Sequence, residues 1–480
     1  MKKALLKSVI CLSVIILSAC QASHTPISLL PDNPHYFLFR GEPAVLIGST
    51  EHYGAILNLD FDYVQYLDEL ASKGLNITRT FSGIYLEPQG AFGIAKNTLA
   101  PGPGKLICPW ARSDEPGYPG GGNKFDLTQW DEAYFARLKD FIFEAGKRNI
   151  VVELDLFSNF YDTLQWKLSP VYYANNINGL KPVLDHKEVL SLRHPEILSI
   201  QEKMVRKIIA ELNGFDNLYY EVCNEPYFGD LEALDAWEAH MTDVIAGAEK
   251  DQRNKHLISQ NIQNGSFKVE NPHPAVSILN FHYAKPPAAV EMNYALNRVI
   301  GDNETGFNGT ENIQYRTEAW DFLVAGGALY NNLDYSFTAD HEDGSFTVAP
   351  GQPGGGGPLL REQLNILKQV FDELDFLSMK PQNTLLQGTY QGAATARVLA
   401  QEGTQYLIYV NCLQGNSGKV ALQDTTFKIS LELPPGDYTG VWIDPIAGKR
   451  TSFSVKGHTG GSINLTTPLF KEDLALKILK

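Results

Sequence analysis

Between residues 40 and 376, short runs of β-branched and aromatic residues alternate with longer segments in which apolar positions recur every three or four residues. The short runs read as buried strands and the longer ones as amphipathic helices, and their regular alternation argues for a parallel sheet with crossover helices. Strands are expected at 44–49, 76–81, 150–156, 218–223, 257–260, 277–281, 298–302 and 328–335. Eight such strands close a (β/α)8 TIM barrel. Helical periodicity covers 61–73, 127–148, 195–212, 231–253, 310–324 and 360–374. Asp126 and Asp230 occupy N-cap positions for two of these, and Gly74 and Gly214 stand where helices should stop. The fifth crossover, 261–275, reads as loop. A doubly wound open sheet would alternate in the same way, but its Gly-rich phosphate turn after the first strand is absent.

Beyond Met379 the period shifts to two. Strands are expected at 397–399, 406–411, 427–433, 438–443 and 474–479, with turns at 401–404, 434–437 and 444–448, which together make an antiparallel β-sandwich. The expected organisation is therefore a barrel over 35–378 and a smaller β-sandwich domain over 379–480. Two stretches rich in Gly and Pro, 83–123 and 339–358, follow strands two and eight. In a barrel that position is the face where long βα loops shape ligand clefts.

The first 19 residues read as a leader. Lys2, Lys3 and Lys7 precede an apolar run from Val9 to Leu17 that is too short to span a bilayer as a mature helix. Leu17-Ser18-Ala19-Cys20 resembles a bacterial lipobox. That resemblance implies lipid attachment at Cys20, a linker over 20–34, and an exported bacterial lipoprotein in the outer membrane or periplasm, tied to the membrane by its lipid. An ordinary secretory leader with a chance cysteine is the alternative.

Composition narrows the chemistry. A chain of 480 residues, 44% hydrophobic, can bury one large core and a second smaller one. With 55 acidic against 40 basic residues the formal charge is −15, and no basic stripe interrupts it. This argues against nucleic acid, whose phosphates need clustered Lys and Arg, and favours a neutral ligand. Beyond the leader and Cys20 the cysteines are Cys108, Cys223 and Cys412, without a CxxC pair, so neither a structural zinc site nor any other metal or cofactor is expected. The run Asp340 to Asp343 could offer oxygen ligands to calcium and reads as an exposed acidic turn.

The informative segment ends the fourth strand in Asn224-Glu225-Pro226. Glu225 would stand at the C-terminal rim, where barrel enzymes keep reactive groups, with Pro226 stopping the strand. Burial beside apolar walls would raise its pKa, as a proton donor needs. Glu304 ends the seventh strand, across the barrel mouth from the fourth, so the two carboxylates can face each other. Glu318 lies inside a helical pattern and reads as a solvated or salt-bridged helix residue. Arg79, in an otherwise apolar strand, requires a buried carboxylate partner, and Glu304 is a candidate.

An Asn-Glu-Pro end to strand four and a second Glu ending strand seven resemble glycoside hydrolase clan A, which includes family 5 cellulases and mannanases. The likeness covers most of 35–376 and implies a retaining β-glycosidase with a carbohydrate substrate, Glu225 as acid/base and Glu304 as nucleophile. It further implies that Arg79 supports the nucleophile and that His282-Tyr283 border the site, while Asn224 could hydrogen-bond a sugar hydroxyl. His52, after strand one, is a further candidate contact. Trp110, Phe157, Phe160, Tyr161, Trp166, Tyr227 and Phe228 lie on loops of the same face, where rings either stack on sugars or pack the loops. Two positions depart from the family 5 pattern. Phe157 stands where a His usually follows strand three, and no Trp ends strand eight, leaving Tyr330 or Tyr335 as replacement. A surface glycan-binding lipoprotein without catalysis is the alternative from another class. The turn Trp442-Ile443-Asp444-Pro445 resembles one in the small β-domains that follow many such barrels, with Trp442 expected in that domain's own core.

Overall fold

The computed structural model describes residues 25–413 and 423–480. The leader and Cys20 lie outside the described residues. Among the described residues no helix is long and apolar enough to cross a membrane.

Eight parallel strands form the barrel: Leu46–Thr50, Ile77–Phe81, Val151–Ser158, Leu218–Asn224, Ile258–Asn264, Ile278–His282, Val299–Thr305 and Leu329–Leu333. From the second to the eighth each pairs with the next in sequence, and the eighth returns to the first through Tyr330↔Ile47. The first and second strands meet at Asn76, whose N–H donates to Ile47 O at 3.1 Å while its side chain accepts from Ile47 N at 2.8 Å. Nearly every strand residue is buried, because one face lines the interior and the other packs under helices. Most of the strands carry apolar residues on the helix-facing side, among them Ile47, Val152, Leu154, Tyr220 and Ile300, and this is what makes them visible in the sequence.

The helices Tyr63–Ser72, Glu132–Lys147, Pro195–Leu212, Leu231–Glu249, Asn312–Val324 and Pro358–Asp372 coat the barrel. Asp230 caps its helix, accepting from Ala233 N. Asp126 does not cap: Asn123–Trp130 pairs with Trp110–Pro116 in an antiparallel hairpin, and the helix begins six residues later under Asp131. No helix lies between Asn264 and Ile278, so the fifth crossover is loop, as its pattern indicates. Residues 25–34, expected as linker, fold onto the barrel. Ile27 is fully buried, its N–H donates to Asp216 O at 2.8 Å, and Ser28–Leu29 pairs with Phe37–Phe39.

The C-terminal region is a sandwich of a six-stranded and a three-stranded antiparallel sheet. Four of its strands have no counterpart in the sequence pattern: Lys380–Pro381 and Leu386–Gly388 are only two and three residues long, and Arg450–His458 and Gly461–Thr466 are largely exposed and polar. Alternation gives the six-stranded sheet two apolar faces. Tyr406, Ile408 and Val410 turn into the sandwich core with Trp442, whereas Leu407 and Tyr409 join the core of the barrel. The contact is made on helix Asn312–Val324. Trp320 stacks on Tyr409 with centroids 5.3 Å apart, and Arg316 grips buried Asp473 with Nε and Nη2 at 3.0 and 2.9 Å. Covered on both sides, this helix buries Glu318, contrary to the solvated reading. Thr305 Oγ1 donates to it at 2.9 Å, and burial pushes its carboxyl up to about 7.

Candidate active site

Glu225 follows the last residue of strand four in the left-handed region, at φ 49°, and its N–H donates to Asn261 Oδ1 at 3.1 Å. Tyr53 and Tyr283 share that conformation, at φ 60° and 53°. Bulky residues adopt it at a cost of about 1–3 kcal/mol each, so three around one cavity mark a place where the fold spends stability to aim side chains.

The paired glutamates are each held by several donors. Tyr227 OH donates to Glu225 Oε1 at 2.9 Å and Tyr161 OH to Oε2 at 2.5 Å, while His282 Nδ1 lies 3.0 Å from Oε1. Glu304 Oε1 accepts from Tyr283 OH at 2.9 Å, and its Oε2 accepts from Tyr53 OH at 2.9 Å and Arg79 Nη1 at 3.0 Å. The same His282 nitrogen is 3.6 Å from Glu304 Oε1. One oxygen from each glutamate and the imidazole nitrogen all lie within 4.8 Å of one another.

This environment reverses one expectation. Burial does push the Glu225 carboxyl up, but the hydrogen bond and charge of His282, with those of Tyr161 and Tyr227, outweigh it and hold the pKa below the ordinary value. Sequence shows that the residue is buried and cannot show how many donors converge on it.

Arg79 is fully buried below the pair in a polar layer that fills the barrel interior. Its Nη2 lies 2.7 Å from Asp155, 2.6 Å from Glu221 and 2.8 Å from Asn224 Oδ1. Asn224 uses its amide within the protein, donating to Ser158 Oγ and Tyr161 OH, so it orients neighbours as it lines the cavity. Burial drives the Glu153 and Asp155 carboxyls up, whereas for Glu221 burial is overcome by Arg79 and by hydrogen bonds, and its pKa falls to about 2. Arg79 thus finds an ionised partner in Glu221, and its Nη1 reaches Glu304. Glu153, Asp155 and Glu221 escaped the sequence reading, although alternation of Glu153 and Asp155 with Leu154 and Leu156 is the pattern of a polar inward face.

A cavity of about 430 Å³ opens above the pair, bounded by Tyr161, Asn264, Tyr283 and Phe307 among others. His52 lines it and lies 3.2 Å by Nε2 from Glu87, a buried carboxylate that also accepts from Tyr85 OH at 3.0 Å and from Asn97. Burial would lower the His52 pKa, but the Glu87 charge and hydrogen bond prevail and raise it. Glu87 sits in an irregular loop without periodicity and gave no signal in the sequence.

Other candidates fall elsewhere. Trp110 is a correction: it is 1% exposed, stacks on Trp130 with centroids 6.5 Å apart, and borders a different surface hollow under the hairpin. Phe157 packs edge-on against Trp237 at 5.0 Å, and Trp166 is buried with its Nε1 donating to Val183 O. Tyr161 and Tyr227 serve as donors to Glu225. Of the two tyrosines considered at strand eight, Tyr330 turns outward to donate to Tyr315 O, whereas Tyr335 lies 5.7 Å from His52.

Two trios offer metal-ligand spacing among the described residues, Glu225 with His282 and Glu304, and Glu153 with Asp155 and Glu221. In the first, tyrosine hydroxyls and Arg79 already engage the carboxylate oxygens, and in the second the guanidinium of Arg79 occupies the position of the cation. Neither donor set fits a divalent ion.

Fold and site together define a TIM barrel with two opposed, hydrogen-bonded glutamates at its C-terminal rim and a β-sandwich docked on its side. Solved structures share that architecture. A protein described as a glycoside hydrolase aligns over 95% of this chain and 97% of its own with a TM-score of 0.62 at 12% identity. A glycoside hydrolase family 5 protein from Bacteroides vulgatus aligns over 95% of each chain with a TM-score of 0.61 at 13% identity. A putative glycoside hydrolase from the same organism aligns over 96% of this chain and 83% of its own, with a TM-score of 0.64 at 14% identity. At these identities the likeness is one of fold. No family model and no curated protein sequence matches the chain.

Proposed function

We propose that the protein is a retaining β-glycosidase that cleaves its substrate through a covalent glycosyl-enzyme intermediate. The observation that carries this reading is the spacing of the glutamates, whose nearest oxygens fall within 4.8 Å with one of them backed by Arg79. Retaining enzymes hold their carboxyl groups about 5–5.5 Å apart, and inverting ones leave about 6.5–9.5 Å for a water.

Glu304, oriented by Arg79, Tyr53 and Tyr283, attacks the anomeric carbon as the glycosidic C–O bond breaks. Glu225 delivers a proton to the departing oxygen, and its carboxylate then takes a proton from the water that cleaves the ester to Glu304. His282 Nδ1 lies within reach of both, 3.0 Å from Glu225 and 3.6 Å from Glu304. The low pKa of Glu225 in the free site suits its role as base in the second half of the cycle.

The test is stereochemical. Proton NMR of the first product released should show a β-anomer that mutarotates afterwards. An α-anomer appearing first would refute double displacement, and failure to cleave aryl β-glycosides of any common sugar would refute the activity itself.

Removing one donor from Glu225 has a predictable sign. Tyr161 stabilises the charged carboxylate, so Tyr161→Phe should raise the Glu225 pKa and keep the acid protonated to higher pH. The alkaline limb of the kcat/KM profile should move upward. A limb that stays in place or moves downward would mean that Glu225 does not set it.

A further inference from the structure

Three phenylalanines stand at the mouth of the cavity. Phe92, Phe228 and Phe307 are 45%, 43% and 41% exposed, and all three line it. Phe92 and Phe307 also lie in the left-handed region, at φ 55° and 44°. A bulky side chain there strains the backbone, and an exposed ring forgoes the stabilisation of burial. Phe92 and Phe307 carry both strain and exposure and Phe228 exposure alone, and contacts with Tyr161, Tyr227 and Tyr335 still leave each of the three at least 41% exposed. Paired strain and exposure of this kind point to a ligand that covers the rings.

Two rings of the collar stand on the Glu225 side of the site, and Phe307 bridges from Phe92 to Tyr335, 6.2 Å away. Phe92 and Phe228 each meet Tyr161 edge-on, with centroids 5.4 Å away, and Phe92 reaches Phe307 at 6.1 Å and 77°. Tyr161 in turn donates to Glu225. Glu225 gives its proton to the leaving group in the reaction proposed above, so the leaving group emerges under the collar. The rings cross each other at steep angles and form a folded apolar wall, not the single flat platform on which a pyranose face stacks. They also offer no hydrogen-bond donor or acceptor to a sugar hydroxyl. The charged groups of the cavity, apart from the glutamate pair, are His52 and Glu87, and His52 senses the charge of Glu304. Hydroxyls of the sugar ring find their partners there.

Resting on the glycosidase reading, we propose that the preferred substrates are β-glycosides of an apolar alcohol, with an alkyl or aryl leaving group held by Phe92, Phe228 and Phe307. In each turnover the bond from the anomeric carbon to the alcohol oxygen breaks, the alcohol leaves with the Glu225 proton, and water supplies the new hydroxyl.

A panel of p-nitrophenyl β-glycosides first identifies the accepted sugar. Methyl, butyl and octyl β-glycosides of that sugar, kept below micelle formation, then vary apolar length at nearly constant leaving-group basicity. From methyl to octyl, kcat/KM should rise by about tenfold or more, the gain expected if a few methylenes are covered. The octyl-to-methyl ratio should fall towards one in Phe92→Ala/Phe307→Ala and in Phe228→Ala, the latter at a position without backbone strain. A flat series in the unaltered protein, or a disaccharide cleaved faster than the octyl glycoside, would overturn the inference and leave the glycosidase reading standing. No cleavage of any aryl glycoside would remove both.

Discussion

Glu304→Gln should lower turnover of an aryl β-glycoside by about four to six orders of magnitude, the range seen when a covalent nucleophile is removed. The amide keeps the size of the side chain; its one oxygen can accept from Tyr53 and Arg79 in place of Oε2, and its NH2 can donate to the Tyr283 hydroxyl oxygen, so the geometry around it persists. What disappears is the charge that attacks. Arg79 retains Glu221 as an ionised partner, so the urea midpoint should change little. Activity within tenfold of the unaltered protein would show that Glu304 is not the nucleophile. Azide added to Glu304→Ala should restore part of the turnover on a substrate with a good leaving group, because a small anion can fill the vacated space. A residue with a purely structural role would give no such rescue.

Arg79→Met should cost about 3–5 kcal/mol of folding stability, read from urea denaturation, in addition to abolishing activity. The guanidinium is fully buried and contacts Asp155, Glu221, Asn224 and Glu304, so its loss strands Asp155 and Glu221, both fully buried. The pH dependence supplies a second check. With Arg79 present, the lowered pKa of Glu221 stabilises the fold above the unfolded carboxylate value of about 4.3 and ceases to do so as pH falls through about 2. Without Arg79, burial dominates and the Glu221 pKa rises. The variant should therefore recover stability as pH falls and lose it as pH climbs, most of all above neutrality. A variant as stable as the parent at pH 8 would mean that the polar layer does not depend on its arginine.

How much of this could be read from the sequence follows from the range of each interaction. The barrel strands were legible because short β-branched and aromatic runs alternate with helical periodicity, a signature that is local in the chain. Glu225 and Glu304 were legible because strand order fixes which strand ends share a rim. Pairings were less accessible. Arg79 meets Glu221 across 142 residues, and no spacing rule anticipates which of the many acidic residues fills that position. Asp126 and Asp131 both precede a helical pattern, and only the hairpin Trp110–Pro116 with Asn123–Trp130 shows that the first lies on a strand. Trp110 was assigned to the cleft because its loop follows the second strand, yet that loop folds back on itself and buries the ring against Trp130. Glu87, in an irregular segment, offered no periodicity to read.

The six-stranded sheet of the C-terminal region sets a limit on how this architecture can be rebuilt. Leu407 and Tyr409 serve the barrel while Tyr406, Ile408 and Val410 serve the sandwich, so consecutive residues of one strand answer to different cores. A strand with that division of labour cannot be transplanted as an independent cassette. A foreign β-domain would have to reproduce half of its own interior and half of its neighbour's, including an acidic residue at the place of Asp473 to receive Arg316. The two units have therefore been constrained to change together, and grafting experiments should treat the boundary near residue 380 as a shared seam.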